Sequence, residues 1–407
     1  MKKLLISTST FPKSRDDAVS ARFVFDLAKA LCRFYDVHVL VPHSAGLLRY
    51  EELEGLKIHR FVYFLPSRFQ ILGSGKGMLS DMRDKFLAYL QIPVFLMSQC
   101  LATINIVIRN KIDIVNTHWI VPQGFICALI GTILRFNHAL TVHAADIFML
   151  KRYGFLGRHI CRFILNRTDV MLPVSNFIKE QVEEVSRKDT TSCIIPMGVD
   201  TDRFKYTGEK GDLKTRFKLN NAFTFLFVGK FSEKKGIEFL IKASARLQKK
   251  GFDFNLILVG GGPLYDCMTA LVETCGISDH VRFLGWINNE LLPGIYSLSD
   301  VIVVPSVFDR RGETEGMPVV IQEAMACGIP VLASEISGIP DIVEDGENGW
   351  LVKPADDVLL AEKMEEILSL ESLEDFKKQA MMTAKNNSYS CIAERYMKAI
   401  ESSFSDK

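Results

Sequence analysis

Short runs of β-branched and aliphatic residues alternate along the chain with segments whose apolar positions recur every three or four residues. In the first half, KLLISTS, VHVLVP, IDIVNTH, ALTVHA, DVMLPVS and SCIIP read as strands buried on both faces. Between them lie helical patterns such as ARFVFDLAKALCRF and NFIKEQVEEVS. The series restarts with TFLFVGK, FNLILVGG, VRFLGW, VIVVPS and IPVLAS, separated by IEFLIKASARLQKK and PLYDCMTALVETC. Such alternation predicts α/β architecture: two doubly wound, Rossmann-like domains. The apolar pattern lapses over IPMGVDTDRFKYTGEKGD, Ile195 to Asp212. The expected domains are therefore 1–197 and 212–387, joined by a linker at 198–211. From Asp356 onward the strands stop and three amphipathic helices follow, the last of which (about 388–407) could pack back on the first domain. Ligands bind beyond the carboxyl ends of strands in such sheets. Two domains facing a cleft would line it with the residues that follow each strand.

Composition changes this picture in three places. The total charge is +1, but residues 1–200 hold 25 Lys and Arg against 17 Asp and Glu, net +8, and residues 201–407 hold 24 against 31, net −7. A basic first half suggests an anionic partner such as a phosphate-bearing ligand or a membrane face. The nine cysteines are scattered singly, with no CxxC pair, which fits reduced thiols in a cytoplasmic protein. The opening MKKLLISTSTFPKSR has too short an apolar run for a signal peptide and reads as a buried strand. Finally, Phe86 to Ile108 is long enough to span a bilayer, but Gln91, Pro93, Gln99 and Asn105 interrupt it. A core helix, or one lying against a membrane surface, is the expectation.

Candidate chemistry follows the strands. Lys230 and Lys235 fall between TFLFVG and a helix beginning near Gly236, where lysines and backbone amides together favour phosphate. VGGGPL follows the next strand but has neither a Walker sequence nor GxGxxG spacing. GETEGMPVVIQEAMACG then places Glu315 in a loop and Glu323 on a helix expected over Pro318 to Cys327. A helix would separate these carboxylates by about 12 Å along its axis, so they bracket a helix start instead of forming a proton-transfer pair. His118 ends the strand IDIVNT, and His143 ends ALTV with Asp146 three residues on. No His, Cys and carboxylate set has metal-ligand spacing, and the DxD at Asp200–Asp202 lies in the linker, so no metal site is expected.

Taken together, VGKFSEKKGIEFLIKA, LVGGGPL, VRFLGW, VPS and above all ETEGMPVVIQEAMACGIPVLASEISGIPDIVEDGENGWLV resemble the retaining glycosyltransferases of family 4, of GT-B fold and E-x7-E motif. NTHWIVPQG, TVHAADI and IPMGVDTDRF extend the resemblance into the first half. It implies an enzyme of the hexosyltransferase class that moves a sugar from a nucleoside diphosphate sugar to a glycan or polyisoprenyl-diphosphate-linked acceptor in cell-surface polysaccharide biosynthesis. Glu315 would hold donor-sugar hydroxyls, Glu323 the ribose hydroxyls, and the amides of Gly316 and Met317 the diphosphate or sugar. Lys230 and Lys235 would neutralise the leaving diphosphate, so no metal or other cofactor is required. His143 would lie near the attacked carbon on the acceptor side, with Asp146 orienting its loop and His118 supporting it. The expected location is cytoplasmic, with peripheral contact at the inner membrane face through the basic half and no nucleic-acid partner. The chain departs from the family at Lys230, where arginine is common, at Met197, where asparagine often stands, and in the glycine-poor loop Ser9–Phe23. The alternatives are a nucleotide-sugar epimerase of similar two-domain fold and a non-catalytic sugar-nucleotide binding protein.

Overall fold

A computed structural model describes residues 1–14, 22–72, 86–187, 191–208 and 210–404. The chain divides into two compact units, Met1–Met197 with Tyr389–Lys407, and Gly198–Ser388. Residues 198–211, expected as a linker, group with the second unit.

Among the described residues, the sheet of the first unit has seven strands: β1 (Lys3–Ser7), β2 (Asp36–Pro42), β3 (Tyr50–Leu53), β4 (Leu56–Phe61), β5 (Ile114–His118), β6 (Asn137–Val142) and β7 (Val170–Pro173). Their order is β3-β4-β2-β1-β5-β6-β7, and only β3 is antiparallel to its neighbour. The alternation of strand side chains sorts the core into two layers. Leu4, Ile6, Val37 and Val39 pack with helix α1 (Phe23–Leu31) and the C-terminal helix Tyr389–Ser402. Leu5, Leu40 and Val115 pack on the other face with helix α2 (Phe86–Asn110). The C-terminal helix belongs to this core: Ile392, Tyr396 and Ile400 are fully buried, and the Tyr396 hydroxyl lies 3.2 Å from Thr141 Oγ1. Among the described residues, helices α3 (Phe125–Ile130), α4 (Ala144–Arg152), α5 (Gly154–Leu165) and α6 (Asn176–Ser186) also belong to this unit.

Three features of the sheets differ from the sequence expectation, one of them being strand Gly349–Val352 in the second unit, which was not anticipated. SCIIP forms only one bridge, Ser192 to Met171; Pro173 in β7 has no amide with which to continue a ladder. The hairpin β3–β4, not anticipated, turns on Glu54 and Gly55, both at positive φ (51° and 85°), as a tight two-residue connection requires.

The second unit has a six-stranded sheet: β8 (Phe223–Val228), β9 (Phe254–Val259), β10 (Val281–Gly285), β11 (Val301–Val304), β12 (Val331–Ser334) and β13 (Gly349–Val352). The order is β10-β9-β8-β11-β12-β13, and every pairing is parallel. Its helices are α7 (Lys210–Arg216), α8 (Ile237–Lys249), α9 (Tyr265–Cys275), α10 (Leu292–Leu298), α11 (Val319–Ala326), α12 (Asp357–Leu368) and α13 (Glu374–Asn386). The chain winds outward from β8 in one direction and from β11 in the other. The crevice at the carboxyl ends of β8 and β11 is therefore the topological switch point, where such sheets bind ligands. In the first unit the equivalent point lies between β1 and β5.

Candidate functional site

At the β8/β11 switch point two loops are tied together. The β8–α8 loop turns at Gly236, whose φ is +64° and where a Cβ would lie 1.8 Å from Pro305 O, so only glycine lets the loop seat against the end of β11. The Val307 amide donates to Lys234 O at 2.9 Å, and the Arg310 amide donates to Glu233 Oε1 at 3.2 Å. Between these ties sits an ion cluster: Lys234 Nζ is 2.8 Å from Glu315 Oε1, and Lys235 Nζ is 3.0 Å from Glu315 Oε2. Burial by itself would raise the Glu315 pKa, but Lys235 and Lys234 outweigh it and hold the carboxyl down to about 2. Glu315 is thus ionised at neutral pH. Ser337 Oγ, from the loop after β12, donates to Glu315 O and, at 3.3 Å, to Gly316 O, which pins the backbone beside the carboxylate.

Helix α11 is shorter than expected by one residue at each end, running Val319–Ala326 with Pro318 at the N-cap in an extended conformation. Pro318 has ψ 112°, outside the helical range, so the turn starts after it. Gly316 and Met317 accordingly precede the cap instead of opening the helix. Glu323 projects from the second turn, and its Oε2 accepts the hydroxyl hydrogen of Tyr296 at 2.7 Å. Tyr296, on α10, is fully buried, and burial together with Glu323 pushes its phenol well above the usual range, so it remains a donor. Lys230 is exposed at the end of β8, and its stem runs beside Gly262.

A second cluster lies at the ends of β5 and β6 in the first unit. His118 and His143 share a hydrogen bond, Nδ1 to Nε2, at 3.2 Å, and their rings stack at 5.4 Å. Trp119, at φ 86°, brings its indole to 4.3 Å from the His143 ring. Asp146, in the first turn of α4, accepts the Ile120 amide, so its carboxyl joins the loops after the two strands. Burial lowers His143 to about 3, and burial plus His143 lowers His118 well below its usual value. Both rings are neutral at physiological pH, with one donating and the other accepting in the shared bond. Burial also raises Asp146, to about 7, against the opposing pull of the amides of Ile120, Asp146 and Ile147. His118 Nε2 and Trp119 Nε1 are buried without a hydrogen-bond partner.

The structure therefore joins Lys235 to Glu315, and His118 to His143 and Trp119, while Asp146 ties the loops that carry them. Lys234, Tyr296, Trp119 and Ser337 were not singled out by sequence. Lys234 is half of the KK pair, and nothing in the pattern favours one lysine over the other. Tyr296 lies on a different helix from Glu323, so its role needs the fold. The loop Ser9–Phe23, where a family glycine pair is missing, lies partly outside the described residues.

Comparisons with known proteins bear on both units. Residues 212–386 match the family described as Glycosyl transferases group 1, and residues 20–203 match Glycosyltransferase Family 4. The chain is 31% identical over 270 residues to an uncharacterized glycosyltransferase of Methanocaldococcus jannaschii, covering 66% of this chain and 69% of that one. It is 30% identical over 199 residues to the GDP-mannose-dependent alpha-(1-6)-phosphatidylinositol monomannoside mannosyltransferase of Mycobacterium tuberculosis, covering 48% of this chain and about half, 52%, of the relative. In fold it is similar to sucrose-phosphate synthase from Thermosynechococcus elongatus, with a TM-score of 0.78, 21% identity and full coverage of both chains. The fold is GT-B. With both units matched and the archaeal relative covered over more than two thirds of its length, the chain belongs to glycosyltransferase family 4.

Proposed function

We propose that this family 4 glycosyltransferase moves a sugar, with retention of configuration, from a nucleoside diphosphate sugar to a glycan or polyisoprenyl-diphosphate-linked acceptor, as a step in cell-surface polysaccharide biosynthesis. The observation that carries the donor half is the Lys234–Glu315–Lys235 cluster at the β8/β11 switch point. A donor offers hydroxyls beside a diphosphate, and this cluster offers an ionised acceptor beside two cations. Glu315 accepts from sugar hydroxyls, and the lysines pass from Glu315 to the diphosphate oxygens. As the bond from the anomeric carbon to phosphate breaks, negative charge grows on the leaving diphosphate, and Lys235, Lys234 and the exposed Lys230 neutralise it. Gly316 and Met317 border the same phosphates. Glu323, oriented by Tyr296, takes the ribose hydroxyls at the other end of α11. No metal or other cofactor enters this scheme.

His143 serves on the acceptor side as a neutral hydrogen-bonding group, with its ring set by His118 and Trp119 and its loop by Asp146. The mycobacterial relative, named as GDP-mannose-dependent and as acting on a phosphatidylinositol monomannoside, supports a nucleoside diphosphate sugar as donor and a lipid-borne acceptor. A lipid-linked acceptor would bring the basic half to the inner face of the membrane, consistent with a cytoplasmic, peripheral enzyme. An epimerase has no need of the E-x7-E segment. The test is a panel of nucleoside diphosphate sugars assayed for thermal stabilisation and slow donor hydrolysis. One donor stabilising and turning over supports the proposal, and a silent panel with folded protein refutes it.

A further inference from the structure

Helix α2 is apolar on much of its exposed surface as well as in the core. Its inward face holds Phe95, Ile106 and Val107, but also buries Gln91, Gln99 and Thr103. Gln91 Nε2 donates to Phe69 O at 2.7 Å and Gln91 Oε1 accepts the Ile71 amide at 3.2 Å; Gln99 Nε2 donates to Ser7 Oγ at 3.2 Å. The outward face presents Leu87, Leu90, Val94, Met97, Leu101 and Ile108, spaced by threes, fours and one seven, and so aligned in one row. Five of the six are between 57% and 65% exposed. Leu129 and Ile133, from α3 and the turn after it, are exposed as well. Scattered exposed leucines need no explanation, whereas an aligned row from Leu87 to Leu101, resumed at Ile108 after the exposed Asn105, does.

Charge says what covers it. From residue 86 to residue 168 the chain has eight Lys and Arg and only two acids, Asp113 and Asp146. Asp146 is buried, and Asp113 accepts the Lys3 amide at 2.7 Å. Arg109 and Lys111 stand exposed at the carboxyl end of α2, and Arg135 follows Ile133. Exposed Phe155 and Leu156 open α5, which packs against α3. A second copy of this face would bring cation to cation, with only Asp113, already bonded to the Lys3 amide, as an exposed carboxylate among residues 86–168 to answer, but anionic headgroups above an acyl layer complement both the row and its basic surround.

We propose that this face docks on an anionic phospholipid bilayer with α2 lying in the plane of the interface. Although α2 is long and apolar enough to cross a membrane, it does not span one. Leaving the unit would strip Gln91 and Gln99 of their partners and open the core built on Phe95. The surface deepens the proposed action on a lipid-linked acceptor and takes its biological sense from that reading.

The experiment floats the full-length protein with vesicles of phosphatidylglycerol and phosphatidylcholine, and separately with pure phosphatidylcholine. Expected are binding to the anionic vesicles that weakens at least several-fold between 0.1 and 0.5 M salt, and at least a tenfold loss in Leu90→Glu/Leu101→Glu. Arg109→Ser/Lys111→Ser/Arg135→Ser should weaken anionic binding and flatten its salt dependence. Met382→Glu, exposed in the second unit, should bind as the wild type does. Absence of wild-type binding, binding at the wild-type level by both the leucine variant and the Arg109/Lys111/Arg135 variant, or a wild-type dimer dispersed by Leu90→Glu/Leu101→Glu would overturn the proposal. Donor hydrolysis, which needs no bilayer, is read on the same samples and should survive in the leucine variant. Its absence from the wild type would refute the transferase reading while leaving the docking result intact.

Discussion

Replacing Glu315 with glutamine tests whether the cluster at the switch point is held together by charge. The pKa of Glu315 falls from an ordinary 4.5 to about 2 in the folded protein. Each pKa unit is worth about 1.4 kcal/mol, so the ionised carboxylate contributes about 3 kcal/mol to the stability of the second unit at neutral pH. The side chain is 16% exposed, so solvent screening takes little from this figure. Because the folded pKa is depressed, the stabilisation is fully present above 4.5 and is lost as pH falls towards 2. Less than half, on the order of 1.4 kcal/mol, should remain at pH 3. Amide exchange in β8 and β11, followed by mass spectrometry, reads the opening free energy of these strands. Glu315→Gln should open more easily by about 3 kcal/mol at pH 7, and the gap should narrow below pH 4.5. Strands equally protected in both proteins at pH 7, or a gap that does not change on acidification, would refute the electrostatic account.

Two further substitutions probe the flanking groups. Tyr296→Phe removes the donor to Glu323; a hydrogen bond to a charged acceptor is worth about 1.5–3 kcal/mol, so the donor KM should rise roughly 10- to 150-fold with kcat nearly unchanged, and a kcat loss at constant KM would contradict the ribose role. Asp146→Asn removes a carboxyl whose folded pKa is raised to about 7. That raised pKa stabilises the protein fully below the ordinary value near 3.8 and ceases to do so as pH rises through 7, with a slope of at most about 1.4 kcal/mol per pH unit. Exchange protection of β5 and β6, taken as wild type minus variant, should therefore fall between pH 4 and 7 and then level off; a flat difference would show that Asp146 is not held protonated.

Much of this molecule was legible in the order of its residues, and the exceptions have physical causes. The β-branched runs of β1, β5, β9 and β11 are buried on both faces and announce themselves. The hairpin β3–β4 is an edge element with exposed Tyr50 and half-exposed alternate positions, so its signal is a faint alternation easily passed over. β13 is four residues long and begins with glycine. Position at or after the end of a strand was enough to make Lys235, Glu315, His118 and His143 candidates, because sheet topology sends such residues to the carboxyl edge, where sheets of this kind bind ligands. Partner choice was not legible. Lys234 joins Glu315 because the loop turns at Gly236, and Tyr296 reaches Glu323 across two helices. The same limit applied to Phe86–Ile108, where periodicity showed an apolar helix but only packing revealed which row faces outward.

The proposed role of the β8/β11 edge of the second unit is to bind and discharge a nucleoside diphosphate sugar. The most direct measurement is turnover of the donor found in the panel, with the anomeric configuration of the product read by NMR, for wild type, Lys235→Ala and Glu315→Gln. The account predicts a product of retained configuration, and at least a hundredfold loss of turnover in both variants, about 2.7 kcal/mol of transition-state stabilisation, while the first unit keeps its exchange protection. Inversion at the anomeric carbon, or variants that turn over at the wild-type rate, would contradict it.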